Sequence, residues 1–342
     1  MDQSVSIDTM IGGYVQSQLV YVVAKLGVAD LTWKTPRTIE ELAALVNVNA
    51  DALRRVMAMW VAFGIFERKG AASYQLAAGH EILLSDHPNS IRSYAIVSGE
   101  FYYKAFSELL YSVQTGKTGC EQALGKDHFA YLNEHPDTFE HFNTHMSRRM
   151  RRDAEAAISV YDFSPYKHVV DIGGGNGTFL SLLLQKYPSM QATLFDLPIT
   201  VEQARVYLQQ TGVAERCQTV GGDFFTDELP KGGDLYILAL ILHDWNDEQA
   251  LRILQNCHQT MPNESKLIII EFAPQEQELT AREVGEDLSM LVLTGGCERT
   301  AEQFRSLLAK ANFQLTKVVP TQGRRSVIEA LPITHQEDLP HL

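Results

Sequence analysis

The sequence lacks several features that would assign it at once to a broad class of proteins. Its 342 residues contain no apolar run long enough to span a membrane and no charged-then-apolar leader, so we predict a cytoplasmic protein with no membrane partner. It has only four cysteines, and none of them forms a CxxC pair. This scarcity predicts free thiols in a reducing compartment and no zinc or other metal site.

Basic charge is also scarce. Lysine and arginine number 29 against 42 aspartates and glutamates, which gives a formal net charge of −13. Because phosphate binding needs a basic face, we predict no nucleic-acid partner. The hydrophobic content of 45% and charged content of 21% are those of an ordinary globular protein, and the length allows two domains.

Helical periodicity runs through residues 1–155, the first predicted domain. Thr38 and Glu41 have the spacing of a capping box, and a second helix begins at Asn49. Two short extended segments follow, around Ile65–Phe66 and Tyr74–Leu76. Helix, turn, helix and a two-stranded wing make a winged-helix pattern, which serves either DNA binding or dimerisation.

The acidic balance of the chain favours dimerisation over DNA binding, and we predict a homodimer formed through this domain. An apolar stripe at helical spacing is either a face for the partner subunit or part of the domain core. The stripe consists of Leu19, Val22, Val23 and Leu26.

Residues 156–335, the second predicted domain, alternate strands and helices. Four short, almost continuous apolar runs are typical of parallel strands buried on both faces: HVVDIG, ATLFD, LYILAL and KLIIIEF. A final antiparallel pair is predicted around Gln322-Gly323. This order predicts an α/β fold, a doubly wound Rossmann-like domain that follows a mainly helical winged-helix domain.

The segment VVDIGGGNGTF, residues 169–179, carries the most information about function. Glycines at a turn between strand and helix let a nucleotide-sized ligand approach the main chain. A dinucleotide fingerprint needs glycine at the sixth position, which is Thr178 here. Glycines at the first, third and fifth positions, after Asp171, resemble instead the first motif of S-adenosylmethionine-dependent methyltransferases. A dinucleotide site and a purely structural turn remain the alternatives.

Acidic residues end the next two predicted strands. Asp196 is placed to accept both ribose hydroxyls, and Asp223 to reach an adenine amino group, with Phe224 against the adenine face. Either aspartate alone is equally explained as a helix or turn cap. Their order after the glycine-rich segment favours the cofactor interpretation.

The motifs DIGGGNG, LHDWNDE and GGCERT, in this order, resemble the class I O-methyltransferases of the plant caffeate and hydroxyindole type, and most of all the bacterial natural-product members. The resemblance implies S-adenosyl-L-methionine as cofactor and an aromatic small molecule as methyl acceptor. One departure is Ala239, where the family often has a lysine that reaches toward the cofactor. The predicted cofactor-binding residues are Asp171, Gly173, Gly175, Asp196, Leu197, Gly222, Asp223, Phe224, Asp244 and Trp245.

His243 leaves the fourth predicted strand just before a helix, where an imidazole with an ordinary pKa of about 6.5 can act as a general base. The resemblance implies that Glu271 and Glu298 flank this histidine, and either carboxylate would orient the ring. The alternatives are a histidine that caps or packs, a Glu298 that pairs only with Arg299 or a helix start, and a Trp245 that only packs.

The acceptor pocket is expected between the two domains. The helix FNTHMSRRM resembles the family's acceptor-facing helix, although methionine and phenylalanine at such spacing are also ordinary core residues. The predicted substrate-binding residues are Phe142, Asn143, Met146, Met290 and Leu293.

The sequence therefore predicts an O-methyltransferase that acts on a hydroxyl of an aromatic small molecule. The same fold and cofactor could instead serve N-methylation or a non-methylating reaction, namely decarboxylation, hydroxylation or a pericyclic reaction. A winged-helix regulator that senses the cofactor is a third possibility, for which Arg37, Arg54 and Arg55 give little support. His243, Glu271 and Glu298 together favour O-methylation.

Overall fold

The computed structural model describes residues 6–70, 72–274 and 279–333. The chain divides into two compact units. The first unit takes in the chain up to Glu108 together with Cys120–Met146, and the second takes in Leu109–Gly119 and the chain from Ser147 onward. The predicted boundary at residues 155 and 156 stays a prediction, and both positions lie within one continuous helix, Pro136–Val160.

The helices of the described chain are numbered here in sequence order. They are α1 (Ile7–Ile11), α2 (Gly13–Leu26), α3 (Val28–Thr32), α4 (Ile39–Val46), α5 (Ala50–Ala62), α6 (Arg92–Val97), α7 (Tyr103–Phe106), α8 (Leu109–Thr115), α9 (Gly119–Leu124), α10 (His128–Glu134), α11 (Pro136–Val160), α12 (Thr178–Lys186), α13 (Pro198–Gln210), α14 (Asp247–Thr260), α15 (Ala281–Leu293) and α16 (Ala301–Lys310). Within the described residues, no helix is both long and apolar enough to cross a membrane.

The strands form two sheets. They are β1 (Arg37–Thr38), β2 (Phe66–Lys69), β3 (Ser73–Leu76), β4 (His168–Ile172), β5 (Gln191–Asp196), β6 (Cys217–Gly221), β7 (Leu235–Ala239), β8 (Lys266–Glu271), β9 (Phe313–Pro320) and β10 (Ser326–Pro332). The first unit has the small sheet, in the order β1-β3-β2, and the second has the seven-stranded sheet, in the order β6-β5-β4-β7-β8-β10-β9.

Local hydrogen bonds start the helices of the first unit where the sequence predicts. The Thr38 hydroxyl accepts from the Glu41 amide while the Glu41 carboxylate accepts from the Thr38 amide, so the predicted capping box forms. Asn49 caps α5 through the Ala52 amide. Strands β2 and β3 then pair antiparallel, which confirms the predicted helix-turn-helix and wing.

The predicted apolar stripe of α2 belongs to the core of the first unit. Val23 is fully buried there, and Leu19 and Leu26 pack against the same cluster, which includes Leu42 and Met57. Packing inside the unit therefore explains Leu19, Val23 and Leu26, three of the four residues of the stripe. Large apolar side chains are exposed instead on α1 and the start of α2, at Ile7, Met10, Ile11, Tyr14 and Val15.

The second unit confirms the doubly wound fold. Strands β4 to β8 are all parallel, so their carboxyl ends meet at one edge of the sheet, and β10 runs antiparallel between β8 and β9. Successive residues such as Val169 and Val170 enter separate hydrophobic clusters on the two faces of the sheet. Asn246 caps α14 by accepting from the Gln249 amide. The end of the second predicted domain, residues 334 and 335, lies outside the described residues.

Candidate active site

His243 lies at the carboxyl edge of the large sheet, in a short turn that follows β7. Its side chain is only 4% exposed. The Nδ1 atom of the ring is 3.2 Å from Oε2 of Glu271 and 3.4 Å from Oε1 of Glu298, whereas Nε2 has Asp244 Oδ1 at 3.7 Å. The structure therefore brings the three predicted catalytic side chains together, with one ring nitrogen facing both glutamates.

Each glutamate is fixed by a second contact. Glu271 ends β8 and is fully buried, and its Oε1 atom accepts the Leu242 amide at 3.0 Å. The amide of Glu298 donates to Asp287 at 2.8 Å, and its Oε1 accepts from Arg325 Nη1 at 3.1 Å. Hydrogen bonds to groups other than the ring thus fix both glutamates beside His243.

The electrostatics of this cluster differ from the sequence-based expectation of an ordinary histidine pKa. Burial works against a charged imidazole, but Glu271, Asp244 and Glu298 outweigh it and raise the pKa of His243 to about 10. Burial raises the pKa of Glu271 to about 7, although the His243 charge opposes that shift. The cluster therefore binds a proton more tightly than a free imidazole does.

The same three side chains bring one potential metal-ligand atom each to within 4.8 Å of one another. Such a spacing suits a shared proton as well as a metal ion, so the absence of a metal stays a prediction.

Arg299 ties the GGCERT loop to the loop that carries His243. Its buried guanidinium donates to the carbonyl oxygens of Leu242 and Trp245 at 2.7 and 2.8 Å and to Asp247 at 2.9 Å. The alternative in which Glu298 pairs with Arg299 is therefore wrong, because Arg325 occupies that carboxylate. Sequence reasoning missed the roles of both arginines, although Arg299 lies within a quoted motif.

Backbone conformation and packing, as well as access for a ligand, explain the glycines of the glycine-rich turn. Gly173 has a φ of 72°, and a Cβ there would lie 2.4 Å from Ile241 Cδ1, so packing excludes a side chain. Gly175 has open space at its Cβ position, and its amide donates to Asp196 Oδ2 at 2.8 Å. The space at the Cβ position is thus open at Gly175 and filled by Ile241 at Gly173, and the binding of a cofactor by either glycine stays a prediction.

Two acids face this turn, one buried and one partly exposed. Asp171, at the end of β4, is 1% exposed and has no hydrogen-bond partner for either carboxylate oxygen among the described residues. Burial, reinforced by Asp196, raises the pKa of Asp171 to about 7. Asp196 also accepts the amide of Leu197 at 2.7 Å, and an ionised carboxylate has lone pairs left for further donors. Such oxygens fit the hydroxyl and ammonium donors of S-adenosylmethionine.

The residues predicted near adenine form a compact group around β6. Asp223 Oδ1 accepts the Phe225 amide at 2.8 Å, so this aspartate does close a turn. A Cβ on Gly222 would lie 2.6 Å from the Phe195 ring. The rings of Phe224 and Phe225 meet Trp245 edge to face, with centroids 5.9 and 4.6 Å away, which shows that Trp245 packs.

Ala239 occupies the position at which the family often has a lysine. Ala239 ends β7 and belongs to the core cluster on one face of the sheet, so the family's lysine position is apolar here.

The predicted acceptor residues come from both units. Phe142, in the first unit, meets the buried His128 ring edge to face, with centroids 5.3 Å apart. Leu293 is buried in the second unit. Three further candidates are partly buried on their helices, namely Asn143, Met146 and Met290.

Comparison with known proteins places this geometry in a family. The O-methyltransferase domain model matches residues 106–314, and the O-methyltransferase dimerisation domain model matches residues 9–86. The chain belongs to the O-methyltransferase family. Its fold class, its assignment as a methyltransferase and its cofactor, S-adenosylmethionine, are as the sequence predicts.

This O-methyltransferase is 42% identical to phenazine O-methyltransferase PhzM of Lysobacter antibioticus, over 95% of each chain. It is 30% identical to phenazine-1-carboxylate N-methyltransferase of Pseudomonas aeruginosa, over 91% of this chain and 92% of that one. The crystal structure of NcsB1, an O-methyltransferase from neocarzinostatin biosynthesis in complex with S-adenosylmethionine and 2-hydroxy-5-methyl naphthoic acid, has a TM-score of 0.85 at 31% identity. The two chains match over 93% of this protein and 96% of NcsB1.

Proposed function

We propose that this enzyme transfers a methyl group to a hydroxyl of an aromatic small molecule, with His243 as the general base. The observation that carries the proposal is the buried imidazole whose Nδ1 atom faces Glu271 and Glu298 at 3.2 and 3.4 Å. That arrangement keeps a proton on Nδ1 and leaves Nε2 for the substrate.

The strength of the base suits the substrate class. A phenol has a pKa of about 10, so it is mostly protonated and unreactive at neutral pH. Glu271, Asp244 and Glu298 raise the pKa of His243 to about 10, so the neutral ring that accepts the proton is the minor form at neutral pH and its share rises with pH up to that value. S-adenosylmethionine, when bound, supplies an electrophilic methyl group. His243 Nε2 takes the proton of the acceptor hydroxyl, which gives that oxygen the free lone pair it needs as a nucleophile.

The cofactor residues share the work of binding and orientation. Asp171 and Asp196 offer carboxylate oxygens beside the glycine-rich turn that contains Gly173 and Gly175. We assign the ribose end to Asp196 and the adenine end to the residues around β6. The remaining contacts are assigned to Leu197, Gly222, Asp223, Phe224, Asp244 and Trp245.

The acceptor is proposed to be a planar hydroxylated aromatic molecule. Relatives named for phenazines and a naphthoic acid complex support this class. N-methylation of a ring nitrogen that carries no proton needs no base, so the buried His243 and its two glutamates favour a hydroxyl. The residues proposed to bind the acceptor are Phe142, Asn143, Met146, Met290 and Leu293.

A homodimer through the first unit is part of the proposal. The dimerisation model covers residues 9–86, and the exposed apolar side chains of α1 and the start of α2 lie in or next to that range. Burial of such side chains drives association. Sedimentation equilibrium at micromolar protein should give twice the chain mass, and a monomer would contradict this part.

Mass spectrometry of the products tests the chemistry. The protein is incubated with labelled S-adenosylmethionine and a panel of phenols, catechols, hydroxyphenazines and N-heteroaromatics, in the presence of excess EDTA. A gain of one methyl on a hydroxyl is expected, with a loss of about 10²–10⁴-fold in kcat for His243→Ala and an unchanged cofactor Kd. Full activity of H243A, or a loss on chelation that a divalent cation reverses, would reject the base assignment.

A further inference from the structure

Arg325 is a buried cation immediately behind the reacting centre. It precedes β10 in the turn between the last two strands, and its side chain is only 2% exposed. Nη1 donates to Glu298 at 3.1 Å and Nη2 to Glu286 at 3.2 Å, while Nε is 3.9 Å from Asp153. A guanidinium taken so completely out of water needs such anionic partners.

One oxygen atom is shared between Arg325 and His243. Glu298 Oε1 accepts from Arg325 Nη1 at 3.1 Å and lies 3.4 Å from His243 Nδ1. The carboxylate therefore lies between a permanent cation and a ring that titrates. A positive charge at this distance weakens the attraction of the carboxylate for a proton on the ring.

The other charged groups around the ring come from several elements, and each arginine among them contacts a carboxylate. Arg149 and Arg324 contact Glu286, and Arg299 contacts Asp247, whereas Arg325 contacts Glu298 itself. The charged groups that surround the cluster are Arg149 and Asp153 on α11, Asp244 after β7, Glu271 on β8, Glu286 and Asp287 on α15, Arg299 after Glu298, and Arg324 before Arg325.

We propose that Arg325 is a positioning residue for methyl transfer. It holds Glu298 against His243 and offsets part of the carboxylate charge, so the ring releases its proton at a lower pH than two uncompensated glutamates would allow. The proposal rests on His243 as the base of the proposed function.

The test is a titration of the His243 ring in the full-length protein with S-adenosylmethionine bound. Histidine labelled with ¹³C at Cε1 is followed by NMR from pH 7 to 12, and His243→Asn assigns the signal. Arg325→Gln removes the charge and Arg325→Lys keeps it. Arg324→Gln is the matched control, because Arg324 is the neighbouring arginine and contacts Glu286.

We expect the midpoint of the ring to rise by about one pH unit in R325Q, since a nearby cation is lost. It should move by only a few tenths in R325K and by no more than that in R324Q. A midpoint that stays or falls in R325Q would overturn the proposal, as would an equal shift in R325K.

A second measurement needs no substitution that could prevent folding. In the unsubstituted protein, the Arg325 side-chain Nε resonance should titrate with the same midpoint as the His243 ring, because both groups contact one carboxylate oxygen. A flat Arg325 signal would reject the coupling. The proposed function fails separately, when H243A keeps full activity while these titrations stay as expected.

Discussion

Gly296 lies with its backbone directly against the backbone of His243. A Cβ atom on Gly296 would be 2.0 Å from the His243 carbonyl oxygen and 2.5 Å from the carbonyl carbon of Asp244. No side chain fits there, because the atoms that it would meet are main-chain atoms. The GGCERT loop therefore has two functions, since it presents Glu298 to the ring and also supports the turn that carries the ring.

Gly296→Ala should displace the His243 turn. We expect a fall in kcat on the order of 10²-fold, as for a misplacement of about 1 Å, and a loss of roughly 1–3 kcal/mol in the free energy of unfolding. Steady-state kinetics and urea denaturation measure the two effects.

The control for this change is Gly285→Ala on α15, where a Cβ would meet nothing within 4 Å. That variant should keep its kcat and gain about 0.5–1 kcal/mol in unfolding free energy, because alanine favours a helix interior. Native kcat and stability in G296A would show that the turn tolerates the added methyl group.

Glu298→Gln should move the acid limb of the pH–rate profile to lower pH. The carboxylates raise the pKa of His243, so removing one negative charge lowers it, by on the order of one unit. The plateau rate should fall too, because the ring loses an orienting partner. The pKa of His243 should fall in E298Q and rise in R325Q, so the two variants together test the direction of each electrostatic effect.

The measurement is kcat/KM from pH 6 to 11 with the acceptor found in the product screen. Glu302→Gln is the control, since Glu302 is exposed and pairs with Arg305 on α16. An acid limb of E298Q that stays in place or moves to higher pH would contradict the electrostatic account.

Much of this site could be predicted because periodicity identifies parallel strands, and parallel strands bring their carboxyl ends together. Asp171, Asp196, His243 and Glu271 all follow from that rule, since each lies at or just beyond the end of a predicted strand. Local signals such as the Thr38 capping box also predicted where a helix begins, because both hydrogen-bonding partners are close in sequence.

The partners of Glu298 could not be predicted in the same way. Arg299 is its neighbour in sequence, yet the carboxylate contacts Arg325, which is 27 residues away in a different turn. That choice depends on how β10 packs beside β8, which periodicity does not determine. The raised pKa of His243 depends in turn on the burial of those acids, so it also required the tertiary structure.

Arg299→Ala should lower the stability of the enzyme by roughly 2–4 kcal/mol, because the carbonyl oxygens of Leu242 and Trp245 lose their donors inside the protein. Urea denaturation measures the loss. Arg305→Ala removes an exposed ion pair and should cost less than about 1 kcal/mol. Equal losses in the two variants would show that the bridge between the loops contributes little.

Asp196→Asn should weaken cofactor binding without slowing methyl transfer at saturating cofactor. Asp196 orders the glycine-rich turn through the Gly175 amide, and it is the proposed acceptor of the ribose hydroxyls. Hydrogen bonds to a charged group contribute about 1.5–3 kcal/mol, so calorimetry should show a Kd roughly 10- to 150-fold higher.

A matched control exists at the opposite end of the same sheet. Asp234 accepts the amides of Lys167 and His168 at 2.7 and 3.0 Å, just before β4 begins, so it makes the same kind of contact far along the strand from the glycine-rich turn. Asp234→Asn should lower stability to a similar extent and leave the cofactor Kd unchanged. If D234N weakens cofactor binding as much as D196N does, the effect of Asp196 comes from stability rather than from a contact with the ribose. If only D196N does so, cofactor binding depends on the carboxyl edge of β5 and not on the general stability of the sheet.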